Sequence, residues 1–187
     1  MNDPEIREVL LKKFVDKYKN ADSCLILEEV GIMHGSSIVD LTVISKFYNQ
    51  AFEIKSAQDS LTRLPKQLKD YIQVFDYITI ISQPSHLEEI KGIAPHFVGI
   101  MLAYDNGDLE YVRQPTANSF VRKEKLIQLL WRDEVYKILR ENGHKKISHL
   151  SNAKVKKLAC STYDIKAIRE MVFNVLKSRS DWKKSFK

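Results

Sequence analysis

Cysteine is nearly absent: Cys24 and Cys160 are the whole complement of a 187-residue chain. Two distant thiols exclude a disulfide framework and zinc sites built on paired cysteines. With six glycines and five prolines, the chain is neither collagen-like nor of disordered composition. No apolar run approaches the roughly 18 residues of a membrane span. The opening MNDPEIREVLLKKF lacks the apolar stretch of a secretory signal. No G-x-x-x-x-G-K-[S/T] or G-x-G-x-x-G string is present, so nucleotide-driven activity is not indicated. Nor is there an internal repeat or a low-complexity segment. What remains, 44% hydrophobic and 29% charged, is the composition of a globular α/β domain, expected in the cytoplasm.

The net charge of +6 conceals an asymmetry. Residues 1–119 carry 12 Lys/Arg against 17 Asp/Glu, and residues 120–187 carry 18 against 7. Basic surfaces attract polyphosphates, and acidic residues gathered in space hold divalent cations. A lysine-rich solvated helix face is the plainer reading of the second part.

Asp3-Pro4 is an N-cap followed by a first-turn proline. Ile6, Val9, Leu10, Phe14 and Tyr18 then recur at helical spacing, predicting an amphipathic helix to about Asn20. The apolar runs 24–30, 38–44 and 51–55 read as three strands joined by short turns, an antiparallel meander. A helix is expected over 59–75, with Pro65 marking a new first turn. A strand follows at 77–82, then a short helix at 85–91 capped by Ser85, and a strand at 97–104. Asn106-Gly107 turns the chain into a last strand at 109–113. Pro115 to Ser119 reads as a linker. Beyond it, helices are expected over 123–141, 151–160 and 163–180, with Leu126, Leu129, Leu130, Val135 and Leu139 on one buried side. The fold class is α/β, a mixed sheet flanked by helices with a basic helical extension at the C-terminal end.

Strand alternation places Glu53 and Lys55 on one face and Phe52 and Ile54 on the other. Asp40, between Val39 and Leu41, is a carboxylate in an apolar strand and requires a cation, a donor or a metal. Hairpin pairing of 38–44 with 50–55 brings Asp40 beside Glu53. Two carboxylates and a lysine on one patch suit Mg²⁺-assisted phosphodiester hydrolysis, in which metal-held water attacks and a cation offsets charge on the phosphate. A surface Glu–Lys pair is the simpler alternative. Asp59, Arg63, Gln67 and Tyr71 are spaced by four and share a helix face suited to phosphate or base contacts.

Asp40 followed twelve residues later by Glu53-Ile54-Lys55 resembles the PD-(D/E)XK nuclease superfamily. Gln67 to Tyr71 is similar to the Q-x-x-x-Y motif of its RecB-like branch. A bacterial family of PD-(D/E)XK-like proteins is similar along most of the chain: in Glu29-Val30-Gly31, Phe52 to Ser56, Asp59 to Gln67, His86-Leu87 and Leu130 to Glu134. Val39 stands where the motif's name has proline. The resemblance implies a restriction-endonuclease-like core over 1–114 and a basic extension over 120–187. It implies Asp40 and Glu53 as metal ligands, with the Ile54 carbonyl and Glu29, or its neighbour Glu28, completing the site. Lys55 would be the catalytic lysine, and Arg63, Gln67 and Tyr71 would support the site or its substrate. The cofactor expected is Mg²⁺ or Mn²⁺.

Lys145, Lys146, Lys154, Lys156 and Lys157 are the candidate phosphate contacts of the extension. The His34 to Ser37 turn offers backbone N–H groups to an anion. The five histidines show no metal-ligand spacing. Cys160 is read as core, and Trp131 and Trp182 as packing anchors. The leading expectation is a metal-dependent nuclease acting on nucleic acid, DNA in the first instance. It has no membrane partner and forms a homodimer if it cuts both strands of a duplex. The alternative is a non-catalytic protein on the same fold, binding nucleic acid or a protein partner.

Overall fold

The computed structural model describes residues 1–18 and 24–179. The expected helix ends at Asn20 and Ser180, the side chain of Tyr18, and Trp182 lie outside the described residues. Helix α1 (Asp3–Tyr18) precedes β1 (Cys24–Ile32), β2 (Ser37–Ser45) and β3 (Asn49–Lys55). Then come α2 (Leu64–Tyr71), β4 (Tyr77–Ser82), α3 (Leu87–Ile93), β5 (Gly99–Ala103) and β6 (Leu109–Arg113). The extension holds α4 (Lys123–Leu126), α5 (Arg132–Glu141), α6 (Asn152–Thr162) and α7 (Ile165–Ser178). No described helix is long and apolar enough to cross a membrane.

The six strands form one mixed sheet in chain order. β1, β2 and β3 are the expected antiparallel meander. β4 and β5 add in parallel, and β6 returns antiparallel. Period-two burial gives the sheet two apolar faces. On one, Ile6, Leu10 and Phe14 of α1 cover Leu41, Val43, Phe52, Ile54 and Ile81. On the other, α2, α3 and the whole extension share a larger core with Val30, Ile44, Ile78 and Ile100. The protein is therefore a three-layer α/β/α arrangement.

Several expected elements are shorter or broken. The 59–75 helix is a 3₁₀ turn, Leu61–Arg63, leading into α2, which ends at Tyr71. Pro65 sits in the first turn of α2, as expected. The 85–91 helix is likewise a 3₁₀ turn, Pro84–His86, followed by α3, with no side-chain cap. The single helix expected over 123–141 breaks at Leu130, which is extended and buried. Apolar side chains on both sides of that break need the same core, and one straight helix cannot turn all of them inward. Gly143, at φ 90°, closes α5 as the Asn142-Gly143 pair predicts. Ser151 and Asp164 cap α6 and α7.

The segment 115–119, expected to be a linker, joins β6 to α4 without helix or strand and is anchored along its length. The Asn118 side-chain amide donates to the Ile72 and Phe75 carbonyls at 2.7 and 2.8 Å. Its backbone N–H donates to the Asp76 carbonyl at 2.8 Å. Gly99 lets this segment cross close over β5, since a Cβ there would stand 2.8 Å from Pro115 Cδ. Arg169 of α7 forms a two-pronged ion pair with Asp76, whose Oδ2 also accepts the Asn49 N–H.

Candidate functional site

The site lies where β2 and β3 part. Their ladder runs from Ile44–Asn49 to Leu41–Phe52 and stops. Past that last rung, the Asp40 carboxylate accepts the Ile54 N–H at 2.8 Å in place of a strand carbonyl. The break has a counterpart in β1, where Glu29 adopts φ 53° opposite Asp40. A left-handed residue inside a strand turns the backbone, and side-chain alternation shifts with it. Val39 belongs to the larger core and Leu41 to the α1 core, although strand residues two apart ordinarily share a face. This local twist exposes Asp40 to groups on both sides of the sheet.

From the α2 side comes Glu53, 1% exposed. Burying a carboxylate this completely requires donors, and three supply them. Lys55 Nζ donates to Oε1 at 2.6 Å and Gln67 Nε2 to the same oxygen at 2.5 Å. The Tyr71 hydroxyl donates to Oε2, and its oxygen lies 2.8 Å from the Ile38 carbonyl. Lys55 is itself 6% exposed, so the ion pair is an interior one. Burial, and then the Glu53 charge, hold the Tyr71 phenol well above its ordinary range, so Tyr71 stays protonated as a donor. Gln67 Oε1 and Ser82 Oγ are buried without a hydrogen-bond partner among the described residues. Ser82 stands beside Lys55 across the β3–β4 ladder.

From the α1 side comes Arg7, which the sequence reading passed over. Its guanidinium donates to the Asp40 carbonyl at 3.1 Å and to Asp40 Oδ1 at 3.4 Å. It also reaches Asp3 at 3.3 Å and Glu28 at 3.9 Å. The i,i+4 pair Asp3–Arg7 was the available signal, hidden by reading α1 only for its apolar stripe. Burial and the neighbouring Glu53 charge push the Asp40 carboxyl up to about 7 despite the Ile54 N–H.

Asp40, Glu53, Ile54, Lys55, Gln67 and Tyr71 thus converge. Glu29 is exposed and lines a cleft with Glu28 and α1, while Glu28 is the neighbour linked to Asp40 through Arg7. Arg63 is exposed at the end of the 3₁₀ turn and does not join Gln67 and Tyr71. The four-residue spacing from Asp59 fails as a single face because the helix starts only at Leu64. Asp59 instead accepts from the Ser56 N–H and hydroxyl, both at 2.7 Å.

In the extension, Lys145, Lys146, Lys154 and Lys157 are exposed and Lys156 is half-buried. Cys160 is buried, as expected. Trp131, expected to be a packing anchor, is 45% exposed, and the Arg179 guanidinium stacks 4.2 Å from its ring centroid. Among the described residues, no three His, Cys, Asp or Glu side chains are placed to hold a metal by themselves. A cation at Asp40 and Glu53 would need main-chain, water or ligand oxygens as well.

Fold and site together define a three-layer α/β protein with a buried carboxylate–lysine centre at the parting of two central strands. A sequence profile of the family described as Bacteriophage P4 protein cII matches residues 1–186, and the chain belongs to that family. "Protein cII" of Enterobacteria phage P4 is 27% identical over 182 residues, spanning 96% of this chain and 68% of that protein. Among solved structures, a protein of unknown function from Silicibacter pomeroyi is 20% identical with a TM-score of 0.43, covering 74% of this chain and 94% of that one.

Proposed function

We propose that the protein is a metal-dependent phosphodiester hydrolase acting on nucleic acid, DNA in the first instance. Its core over 1–114 is read as restriction-endonuclease-like, with the basic extension over 120–187 contacting the nucleic-acid backbone. The observation that carries the reading is the convergence of Asp40, Glu53 and Lys55 at a strand parting, with Glu53 1% exposed. The α-β-β-β-α-β order of the first six elements supports it.

The residues fit a magnesium-type ion. Both side-chain ligands are hard carboxylates, and Mg²⁺ keeps several waters while taking only one or two protein carboxylates. Two facing carboxylates of which one resists ionisation form a place where a cation relieves repulsion. The partnerless Gln67 Oε1 and Ser82 Oγ leave polar capacity for water or substrate beside them. Asp40 and Glu53 would hold the ion, with the Ile54 carbonyl as a further ligand. Bound there, the ion supplies Lewis acidity and an oriented water. Lys55 offsets charge developing on the scissile phosphate. Gln67 and Tyr71 fix the Glu53 carboxylate. Lys145, Lys146, Lys156 and Lys157 hold the backbone of the substrate by charge.

The test is Mg²⁺ and Mn²⁺ titration by calorimetry, with cleavage of single- and double-stranded DNA and RNA assayed on the same samples. Wild type binds metal and cuts; Asp40→Asn loses both, and Lys55→Ala loses cutting while keeping the metal. Undiminished cutting by either variant refutes the assignment. A second reading, a non-catalytic binding protein, is favoured by the three donors already on Glu53 and by Arg7 at Asp40. Absence of both metal binding and cutting selects it.

A further inference from the structure

The extension meets the β1–β2 hairpin tip at a second place, away from the carboxylate centre. A cavity of about 490 Å³ opens there, within the size range of small-molecule sites. His34 on the hairpin tip faces it, with Lys123, Gln128, Lys156, Lys157 and Cys160 from the extension. An adjoining cavity of about 530 Å³ shares His34, Gln128 and Lys156 and adds Lys125 and Arg132. Across the two, five cations face a single carboxylate, Glu124.

Two groups in the shared wall lack the partners that burial demands. Gln128 Oε1 is buried and accepts no hydrogen bond among the described residues. Leaving such an oxygen without a donor is unfavourable. Lys156 is half-buried, and no hydrogen bond or ion pair holds its ammonium among the described residues. Burial accordingly presses its pKa down. Lys123, by contrast, is tied to the Tyr163 carbonyl at 3.1 Å, and Arg132 to the Leu150 carbonyl at 3.0 Å. Lys125, Lys156 and Lys157 are the lining cations whose ammonium groups no hydrogen bond or ion pair holds among the described residues; of these, Lys156 and Lys157 line the first cavity, and Gln128 Oε1 is its acceptor without a donor. Ile127, Ala153 and Cys160 give the wall an apolar part, beside the polar Asn152 and Ser161. The hairpin tip adds left-handed backbone at Met33, His34 and Gly35, a geometry that turns successive N–H groups towards an anion.

We infer that this cavity binds a nucleoside monophosphate, or a terminal nucleotide of that structure, through Lys156, Lys157 and Gln128. The lysines take the phosphate. The Gln128 side chain turns its sealed Oε1 towards the cavity and takes an amino or ring N–H of the base, which lies against Ile127 and Cys160. The site lies apart from the carboxylate centre and needs no metal, although it draws on Lys156 and Lys157, two of the lysines proposed above to hold the substrate backbone.

The test is calorimetric titration of the full chain, in chelator, with each of the four common ribonucleoside 5′-monophosphates and separately with inorganic phosphate. At least one nucleotide binds saturably with Kd below about 1 mM, a free energy of about −4 kcal/mol. Phosphate alone binds at least about tenfold more weakly, since it leaves Gln128 unpaired. Lys156→Ala weakens the nucleotide about tenfold or more. Gln128→Leu weakens the nucleotide and not phosphate, while Asp40→Asn changes neither. Lys156→Gln, which keeps most of the side-chain stem, serves if Lys156→Ala fails to fold. No saturable binding, equal binding of phosphate and nucleotide, or binding lost in Asp40→Asn but kept in the Lys156 variants would each overturn the inference. Because no metal is present, these outcomes are separate from those of the cleavage assay.

Discussion

Arg7 of α1 and Asp40 of β2 meet 33 residues apart in sequence, with guanidinium and carboxylate 3.4 Å from each other. Arg7 is also the cation shared by Asp3 and Glu28. It therefore adds positive charge on the α1 side of the proposed metal site, as Lys55 does at Glu53. Arg7→Ala is expected to lower stability by about 1–2 kcal/mol, since the three carboxylates then face each other unscreened. Millimolar Mg²⁺ is expected to restore part of that loss. Urea denaturation with and without Mg²⁺ measures both effects.

Asp40 itself sets a pH dependence in the metal-free protein. Its folded pKa of about 7 lies above the unfolded value of 3.8. The protonated form is thus favoured on folding, and the stability it contributes is complete below about pH 4 and lost as pH rises to 7. Asp40→Asn removes that loss. The variant is expected to exceed wild type by about 2–4 kcal/mol at pH 8 in chelator, and the advantage should shrink towards zero by pH 4. Denaturation curves at pH 4, 6 and 8 decide it. An advantage that grows as pH falls would contradict the burial of Asp40 beside Glu53.

Tyr71→Phe deletes one of three donors to a buried carboxylate while keeping the ring, which is itself fully buried. A cost of about 1.5–3 kcal/mol is expected, the range for hydrogen bonds to charged groups. Glu53→Gln in the same background should recover part of it, because the acceptor is then neutral. A double-mutant cycle measures the coupling.

How far the sequence revealed this site depends on the kind of signal. The apolar alternation of 38–44 and 51–55 announced the meander, and Glu53 with Lys55 on its inner face followed from period two alone. Gln67 and Tyr71 were found because one turn of helix separates them. Arg63 was misplaced because Pro65 begins a helix that sequence spacing carried back to Asp59. The positive φ of Glu29 and the slip between Val39 and Leu41 left no mark, since neither involves glycine or proline. Arg7 shows in the sequence only through its i,i+4 partner Asp3, which an apolar-stripe reading of α1 hides; its other partners, Glu28 and Asp40, are 21 and 33 residues away, where helix periodicity says nothing. The anchoring of the 115–119 linker is invisible in the sequence for a similar reason. Asn118 looks like a turn residue, but its amide serves carbonyls of the preceding α2–β4 connection.

Asp76 and Arg169 test whether the basic extension is separable. Their ion pair is largely shielded, with side chains 11% and 18% exposed. Arg169→Ala leaves Asp76 with only backbone donors and is expected to cost about 2–4 kcal/mol. Because the extension and the sheet share one core, thermal unfolding followed by Trp131 fluorescence in a Trp182→Phe background and by far-UV circular dichroism should move together. Two separated transitions would show that the extension is an independent unit.

Strand order has a kinetic consequence. Each strand of the sheet lies beside its neighbour in the chain, so every ladder closes over a short or moderate loop. The Asp76–Arg169 contact, by contrast, closes over 93 residues. Loop-closure entropy makes the local ladders the early events and the docking of the last helix a late one. Substitutions at Arg169 should therefore speed unfolding while leaving the refolding rate almost unchanged. The protein emerging from the ribosome would complete its carboxylate centre before its basic surface is fixed in place.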